Sequence, residues 1–212
     1  GKVIGSGRHP TGANDFASFL LQAQASRAEI VALANAGGDT IKSIKQASEF
    51  GIIQGGQKLA GMLLFISDIH SLGLKTAQGL QLTTGFYWDL NAKTRSFGER
   101  FAARNNGRDP SMNQAGAYSA TLAYLTAVAK VGSPKDGRAV VKAIRDLGTF
   151  DDPLFGKTQL REDGRVIHDM LLVQVKKPEE SKKPFEYYKV LSTIPGERAF
   201  RPLKDGGCPL VK

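Results

Sequence analysis

The sequence predicts an α/β fold, a parallel sheet flanked by helices, and three observations carry that reading. A short apolar run, Ile30 to Ala34, is followed by a small-residue turn and a helical pattern that stops at Gly51. Strand, turn and helix in that order form the repeating unit of a parallel sheet. The same order recurs from Lys2 to Phe86, whereas Thr94 to Leu147 carries helical patterns with no strand between them. Those helices cannot complete the first sheet, so they cover a different one.

The first strand is Lys2 to Gly7. It reads as a strand from its first residue, with no cap or linker before it, and the expectation is a fragment of a longer chain whose amino-terminal part is missing. A polar turn, Arg8 to Gly12, leads to a helix with Phe16, Phe19, Leu20 and Ala23 on one face. In the second unit, Ile30 and Val31 are β-branched within a continuous apolar run, the pattern of a strand buried on both faces. Asn35, Ala36, Gly37 and Gly38 make the turn, and Asp39 caps a helix whose apolar positions are Ile41, Ile44, Ala47 and Phe50. Gly51 closes it.

After a loop at Gln54 to Gln57, the third strand runs Leu59 to Ile66 and ends in Ser67, Asp68, Ile69 and His70. A short helix occupies Leu72 to Gln78. The fourth strand, Leu80 to Phe86, ends in Tyr87, Trp88 and Asp89. Right-handed crossovers put every strand-to-helix loop on one edge of such a sheet. Arg8 with His9, Asn35 to Asp39, Ser67 to His70 and Tyr87 to Asp89 are therefore expected to converge, with backbone N–H groups of a helix amino end among them.

From Asn91 the pattern changes. Thr94 to Asn105 is an amphipathic helix with Phe97 and Phe101 inward, and NNGRDPS is a turn. Gln114 to Val131 is almost uncharged, which predicts a largely buried helix. Ser133 and Pro134 start another, with Val140, Val141, Ile144 and Leu147 as its stripe and Gly148 as its stop. Val166 to Val175 and Phe185 to Leu191 read as an antiparallel hairpin around a charged, Pro-flanked loop, and the tail from Pro195 is irregular. The organisation that results is 1–90, 91–150 and 151–212.

Composition excludes several classes. With 212 residues, 41% of them hydrophobic, the chain is ordinary globular material without a disordered composition. It holds no apolar run long enough to span a bilayer, so no membrane insertion is expected. The net charge of +9 raises nucleic acid as a partner, but Lys and Arg are scattered rather than clustered with aromatics. The densest run, Lys176, Lys177, Lys182 and Lys183, reads as a solvated loop. Cys208, the single cysteine, makes no disulfide framework by itself; a partner in a missing portion and a free thiol both remain open. His9, His70 and His168 lack metal-ligand spacing, and no cofactor is expected. The GxSxG, GxGxxG and GxxxxGK[ST] signatures of common enzymes are absent, so catalysis is not expected.

The order of elements, together with ALANAGGDT after the second strand, GAYSATLAYLTAVAKVGS, FDDPLFGKTQLREDGRVIHDMLLVQVK and the closing CPLVK, resembles the carboxyl-terminal portion of a type I periplasmic solute-binding protein. The branch is that of the leucine/isoleucine/valine-binding components of ABC importers. The resemblance implies two α/β lobes joined by three crossing strands, with ligand trapped by hinge closure. Residues 1–90 would then belong to the second lobe, 91–150 would return to the first, and the hairpin would go back to the second.

It also implies a periplasmic location, with a signal peptide upstream, and ABC permease subunits as partners. Family site positions carried onto this sequence fall at Asn35, Ala36, Gly37 and Gly38 and at Asp68 and His70, with Tyr118 matching a family tyrosine near the crossover. Amino-acid binders of the branch place an aromatic at the first position and a glutamate near the second; here small residues and an Asp/His pair stand instead. That departure implies a ligand without an ammonium, an aromatic or other small carboxylate, with Tyr87 and Trp88 as a stacking wall and His9 or His70 as donors. A branched-chain amino acid remains the other ligand. For these residues plainer readings also stand: Tyr87 and Trp88 as lobe packing, Asp39 as a cap, the histidines as surface groups. The rival function is a ligand-sensing domain of a receptor or transcription regulator with the same fold.

Overall fold

The computed structural model describes residues 1–209 and 211; of the closing CPLVK, Leu210 and Lys212 lie outside the described residues. The chain divides into two compact units, unit 1 from Gly1–Thr83 with Leu172–Leu191, and unit 2 from Thr84–Leu171 with the described residues from Ser192 onward. It passes from one unit to the other three times.

Unit 1 begins irregularly. Lys2 to Gly7 is not a strand: Val3 and Ile4 are 86% and 60% exposed, and no neighbouring strand takes their backbone groups. A β-branched pair satisfies the sequence pattern, but strand formation needs a ladder partner. Helix α1 (Ala17–Ala25) follows, with Phe16 and Leu20 buried. Then come β1 (Ile30–Leu33), α2 (Gly37–Glu49), β2 (Lys58–Gly61), α3 (Ile66–Leu72), α4 (Leu74–Ala77) and β3 (Gln81–Thr84). β1 pairs with β2, and β2 with β3, all parallel. Phe16, Leu20, Ile44, Ile52, Leu59 and Ile69 are at most 3% exposed and form the heart of this unit.

Three expectations fail here for identifiable reasons. β1 is the first strand of the sheet and alternates exposed and buried residues, with Ile30 53% exposed, so its continuous apolar run reflects an edge rather than burial on both faces. Asp39 does not cap α2: the helix starts at Gly37, and the Asp39 carboxylate in its first turn accepts from the Gly12 N–H at 3.0 Å. The run GMLLFI leaves the sheet at Gly61. Leu64 folds back so closely that a Cβ at Gly61 would lie 2.9 Å from its Cδ2, and Asp68 accepts the Phe65 N–H at 2.9 Å to start α3. At the other end of α2 the expected stop is present: Gly51 has φ +67°, and Ile52 N–H bonds the Ala47 carbonyl at 3.1 Å.

In unit 2, α5 (Ala92–Ala102) is capped by Asn91, whose side chain accepts from Lys93 and Thr94 N–H. α6 (Met112–Val131) is capped by Ser111 and stopped by Gly132 at φ +82°. It is not largely buried. Ala127 packs with Val140 and Ala143 of α7 (Gly137–Arg145), but Tyr118, Leu122, Tyr124 and Leu125 are 37–56% exposed. α7 starts from Asp136, not Ser133, and its stripe is Val140 and Ala143 with Ile144 packed against them, while Val141 and Leu147 are exposed.

A three-stranded antiparallel sheet, β4 (Thr149–Asp152), β5 (Gly156–Leu160) and β6 (Val166–Ile167), follows. The expected strand Val166 to Val175 is thus split. Its first residues pair with β5, and β7 (Met170–Val175) joins the large sheet beside β3, with β8 (Tyr188–Ile194) outermost. α8 (Gly196–Ala199) gives the tail one helical turn.

β7 meets β3 through a bulge. Gly79 N–H bonds the Val175 carbonyl at 3.0 Å, and Val175 N–H bonds the Leu80 carbonyl at 2.8 Å, with Gly79 at φ +82°. A glycine in the left-handed region opposite one partner residue is the G1 arrangement of antiparallel strands. The end of β7 therefore lies at the beginning of β3.

The loop from Lys176 to Tyr187 is only partly solvated. Lys176 Nζ lies 2.7 Å from Glu186 Oε1, with both side chains under 20% exposed, and Lys182 N–H donates to Oε2. The Lys176 hydrogen bond holds the Glu186 carboxyl below its ordinary value. A carboxyl lowered by folding contributes stability above its unfolded pKa, and that contribution is lost as pH falls through the folded pKa. Glu186→Gln is accordingly expected to narrow its deficit against wild type as pH is lowered. Urea titrations between neutral pH and about pH 3 check this, since a constant gap across the carboxylate range would show that Glu186 does not titrate with folding.

Candidate functional site

In unit 1 the parallel strands β1, β2 and β3 end at Leu33, Gly61 and Thr84, so α2 and α3 both start from the same sheet edge. At the amino end of α2, His9 and Asn35 come together: Asn35 Nδ2 lies 3.1 Å from His9 Nε2. Two helix residues complete the arrangement. The Thr40 hydroxyl donates to Asn35 Oδ1 at 2.9 Å, and Asn35 Nδ2 donates to Ser43 Oγ at 3.0 Å. Ser43 in turn donates to the Asp39 carbonyl at 2.8 Å.

Thr40 and Ser43 were not among the sequence candidates. Both are polar positions on the buried side of α2, at 0% and 1% exposure, and the signal for them was their spacing three apart just after a turn asparagine. Ala36 is extended at the helix entry. Gly37 has φ +56°, a conformation that favours glycine, and neither Gly37 nor Gly38 has an atom within 4 Å of where a Cβ would stand. The edge therefore presents a helix amino end beneath open space, bordered by an imidazole and an amide.

Asp68 is at the same edge, but its carboxylate is engaged by the Phe65 N–H. His70 is a correction: α3 carries it back toward the opposite edge. Its ring stacks on Phe185 at 4.4 Å, and its Nδ1 is 2.7 Å from the Tyr187 hydroxyl, in the loop that follows β7. That loop adjoins the beginning of β3, not its end. Ser67 to His70 are residues of α3 rather than a loop at the strand end.

In unit 2, Tyr87 and Trp88 are 4% and 3% exposed, with ring centroids 6.0 Å apart. The Trp88 Cβ stands 3.3 Å from where a Cβ of Gly98 would lie, so close packing on α5, rather than an open stacking wall, occupies this ring. Tyr118 lies 4.9 Å from Phe97 and borders an open pocket of about 410 Å³ with Lys93, Ser96, Arg100, Pro153 and Leu154. Lys93, Ser96 and Arg100 follow helical spacing along α5, and neither cation is ion-paired among the described residues. No cluster of three metal-ligating side chains occurs among the described residues. No helix among them is long and apolar enough to cross a membrane.

A family model described as periplasmic binding protein matches residues 1–183. Among solved structures, a periplasmic binding protein from Burkholderia mallei is 49% identical over 100% of this chain and 55% of its own, with a TM-score of 0.88. A branched chain amino acid ABC transporter periplasmic ligand-binding protein from Burkholderia xenovorans is 42% identical over 99% of this chain and 55% of its own, with a TM-score of 0.89. At 19% identity the fold is shared by an R. palustris ABC transporter solute binding protein in complex with 4-hydroxybenzoate, over 96% of this chain and 55% of that one, with a TM-score of 0.77. The chain thus spans 55% of the length of these structures. No curated protein matches.

Proposed function

The chain belongs to the periplasmic binding protein family, and on that premise we propose that the complete protein is the extracytoplasmic solute-binding component of an ABC importer. It captures a small carboxylate and delivers it to permease subunits, without catalysis. Unit 1 corresponds to the second lobe and supplies the wall formed by His9, Asn35, Ala36, Gly37 and Gly38. Exposed N–H groups at a helix amino end favour an anion.

One observation favours an aromatic or other simple acid over an amino acid. Both carboxylates at this edge already serve the backbone, Asp39 on Gly12 N–H and Asp68 on Phe65 N–H. Each commits one oxygen to a backbone N–H, and the side chains that border the open space are an imidazole and an amide. The absence of side chains at Gly37 and Gly38 leaves room for a flat ring. The relative from B. xenovorans is named for branched-chain amino acids, and the same fold in R. palustris holds 4-hydroxybenzoate, so both ligand classes lie within reach of the fold.

Calorimetry on the complete protein separates them. Binding of 4-hydroxybenzoate or benzoate with a dissociation constant on the order of micromolar, and no heat from leucine or isoleucine, is the expected result. Tight leucine binding instead would mean that Asp39 or Asp68 holds an ammonium while still accepting its backbone N–H. Failure of every acid to bind would overturn the transport reading.

A further inference from the structure

We infer that His9 is a positioning residue for the amino end of α2, and that it acts only as the neutral imidazole carrying its proton on Nδ1. Its partners decide this. Nδ1 lies 2.9 Å from the Pro10 carbonyl oxygen, which can only accept, so Nδ1 donates. Nε2 faces Asn35 Nδ2, and that amide is oriented from its other side. Thr40 donates to Oδ1, while Ser43 Oγ, having given its own proton to the Asp39 carbonyl, accepts from Nδ2. Nδ2 is a donor, and Nε2 accepts. Because Thr40 and Ser43 are buried, water does not compete for the amide from that side.

Protonation breaks this arrangement, because imidazolium presents N–H on both nitrogens and Nε2–H then faces the Asn35 amino group. A bond returns only if the amide turns over. Ser43 must then leave the Asp39 carbonyl to donate to Oδ1, and the Thr40 hydroxyl must become an acceptor; every one of these changes falls in the first turns of α2. The ring itself is held by the edge contacts of Phe16 at 4.7 Å and Phe19 at 6.1 Å. Charged groups on the packed elements do not offer the imidazolium a ready partner. Asp39 is engaged by Gly12 N–H and Asp15 by Ala17 N–H, Lys42 donates to the Ala13 carbonyl and Asn14, and Arg8 is exposed.

For ligand binding, the consequence rests on the function proposed above, since it takes the amino end of α2 as the ligand wall. The structural part does not. Long-range proton–nitrogen spectra of this chain at about pH 8 are expected to show His9 in the Nδ1–H form, its signals identified by their loss in His9→Gln and distinct from those of His168, whose Nδ1 faces the Asp169 carbonyl; Gln places a non-titrating acceptor near the position of Nε2. Lowering the pH to about 5.5, through the imidazole range, should move the Asn35 side-chain amide and the Gly37 and Gly38 backbone amides in wild type but not in His9→Gln. An Nε2–H form for His9, or equal movement in the variant, overturns the inference.

In the complete protein, affinity for 4-hydroxybenzoate is expected to change about fivefold over the same pH change, the worth of one net hydrogen bond, and less than about twofold in His9→Gln. An equal change in both proteins overturns the effect on binding. If neither 4-hydroxybenzoate nor leucine binds at either pH, the proposed function fails while the spectra still decide the role of His9.

Discussion

Replacing Gly196 with Ala is expected to destabilise unit 2 by about 1–3 kcal/mol, the usual cost of forcing extra volume into a packed site. A Cβ at this position would lie 2.7 Å from the His168 carbonyl oxygen, 2.9 Å from its carbonyl carbon and 2.9 Å from Ile167 Cγ2. Two of those three atoms are backbone, so rotating a side chain cannot relieve the contact. The Gly196 N–H also donates to Asp169 Oδ1 at 3.0 Å, which ties α8 to the segment between β6 and β7. Any movement that makes room strains this bond. Gly85→Ala provides the comparison on the same residue: its Cβ would meet His168 Cε1 at 2.7 Å, a side-chain atom rather than backbone, and should cost less. Gly116→Ala in α6 has nothing within 4 Å and ordinary helical backbone, and should stabilise by about 0.5–1 kcal/mol. Trp88 is the single tryptophan and is buried in unit 2, so its fluorescence during urea unfolding reports all three variants. A Gly196→Ala midpoint no lower than that of Gly116→Ala would refute the packing account.

Much of unit 1 was legible because its signals are local. The turn at Asn35 and Ala36, the stripe through Ile44 and Ala47 and the Gly51 stop each depend on neighbours within a few residues and stand where the pattern put them, although α2 begins at Gly37, inside the expected turn. Features that depend on distant neighbours were not legible. Ile30 to Ala34 has the composition of an interior strand, but whether a strand is interior is decided by what lies beside it, and β1 is an edge. GMLLFI could continue a strand or begin a helix, a choice that apolar periodicity alone does not make. The closeness of Leu64 to Gly61 and the Asp68 bond to Phe65 decide it. For α6, uncharged composition measures the tendency to be buried but does not supply a covering element.

The site divides in the same way. His9 and Asn35 were expected at one edge by the rule that parallel strands deliver their loops to one side; the structure brings them within 3.1 Å, although Lys2 to Gly7, which was to deliver His9, is not a strand. Thr40 and Ser43 escaped notice because a polar residue on the inner side of a helix acquires a role only when a loop folds over it. His70 was misplaced by the boundary error at Gly61, which turned helix residues into loop residues. Asp39 illustrates a further limit: a carboxylate in the first turn of a helix complements the helix dipole wherever its bonds go. Here they go to Gly12, in the turn that carries His9.

Phe16→Ala should have the larger effect on unit 1, about 3–5 kcal/mol for removing a buried aromatic side chain and leaving a cavity. Phe16 is 2% exposed, and its N–H donates to Gln46 Oε1 of α2 at 2.8 Å. Its ring stands edge-on to His9 at 4.7 Å, so the cavity would open directly beside the imidazole that holds Asn35. Two consequences are separable. The loss of packing lowers the unit 1 transition followed by far-ultraviolet circular dichroism, with Trp88 fluorescence, which reports unit 2, shifting less if the units unfold separately. A loosened ring also allows the Asn35 amide to turn over more readily, so its side-chain resonances should broaden or shift even in conditions where the variant is fully folded. Phe16→Leu fills most of the volume and restores much of the stability, but it lacks the ring edge. If Phe16→Leu recovers the Asn35 resonances as well as the stability, Phe16 matters to the His9 junction only as volume. If stability returns without them, the aromatic contact itself holds the imidazole in place.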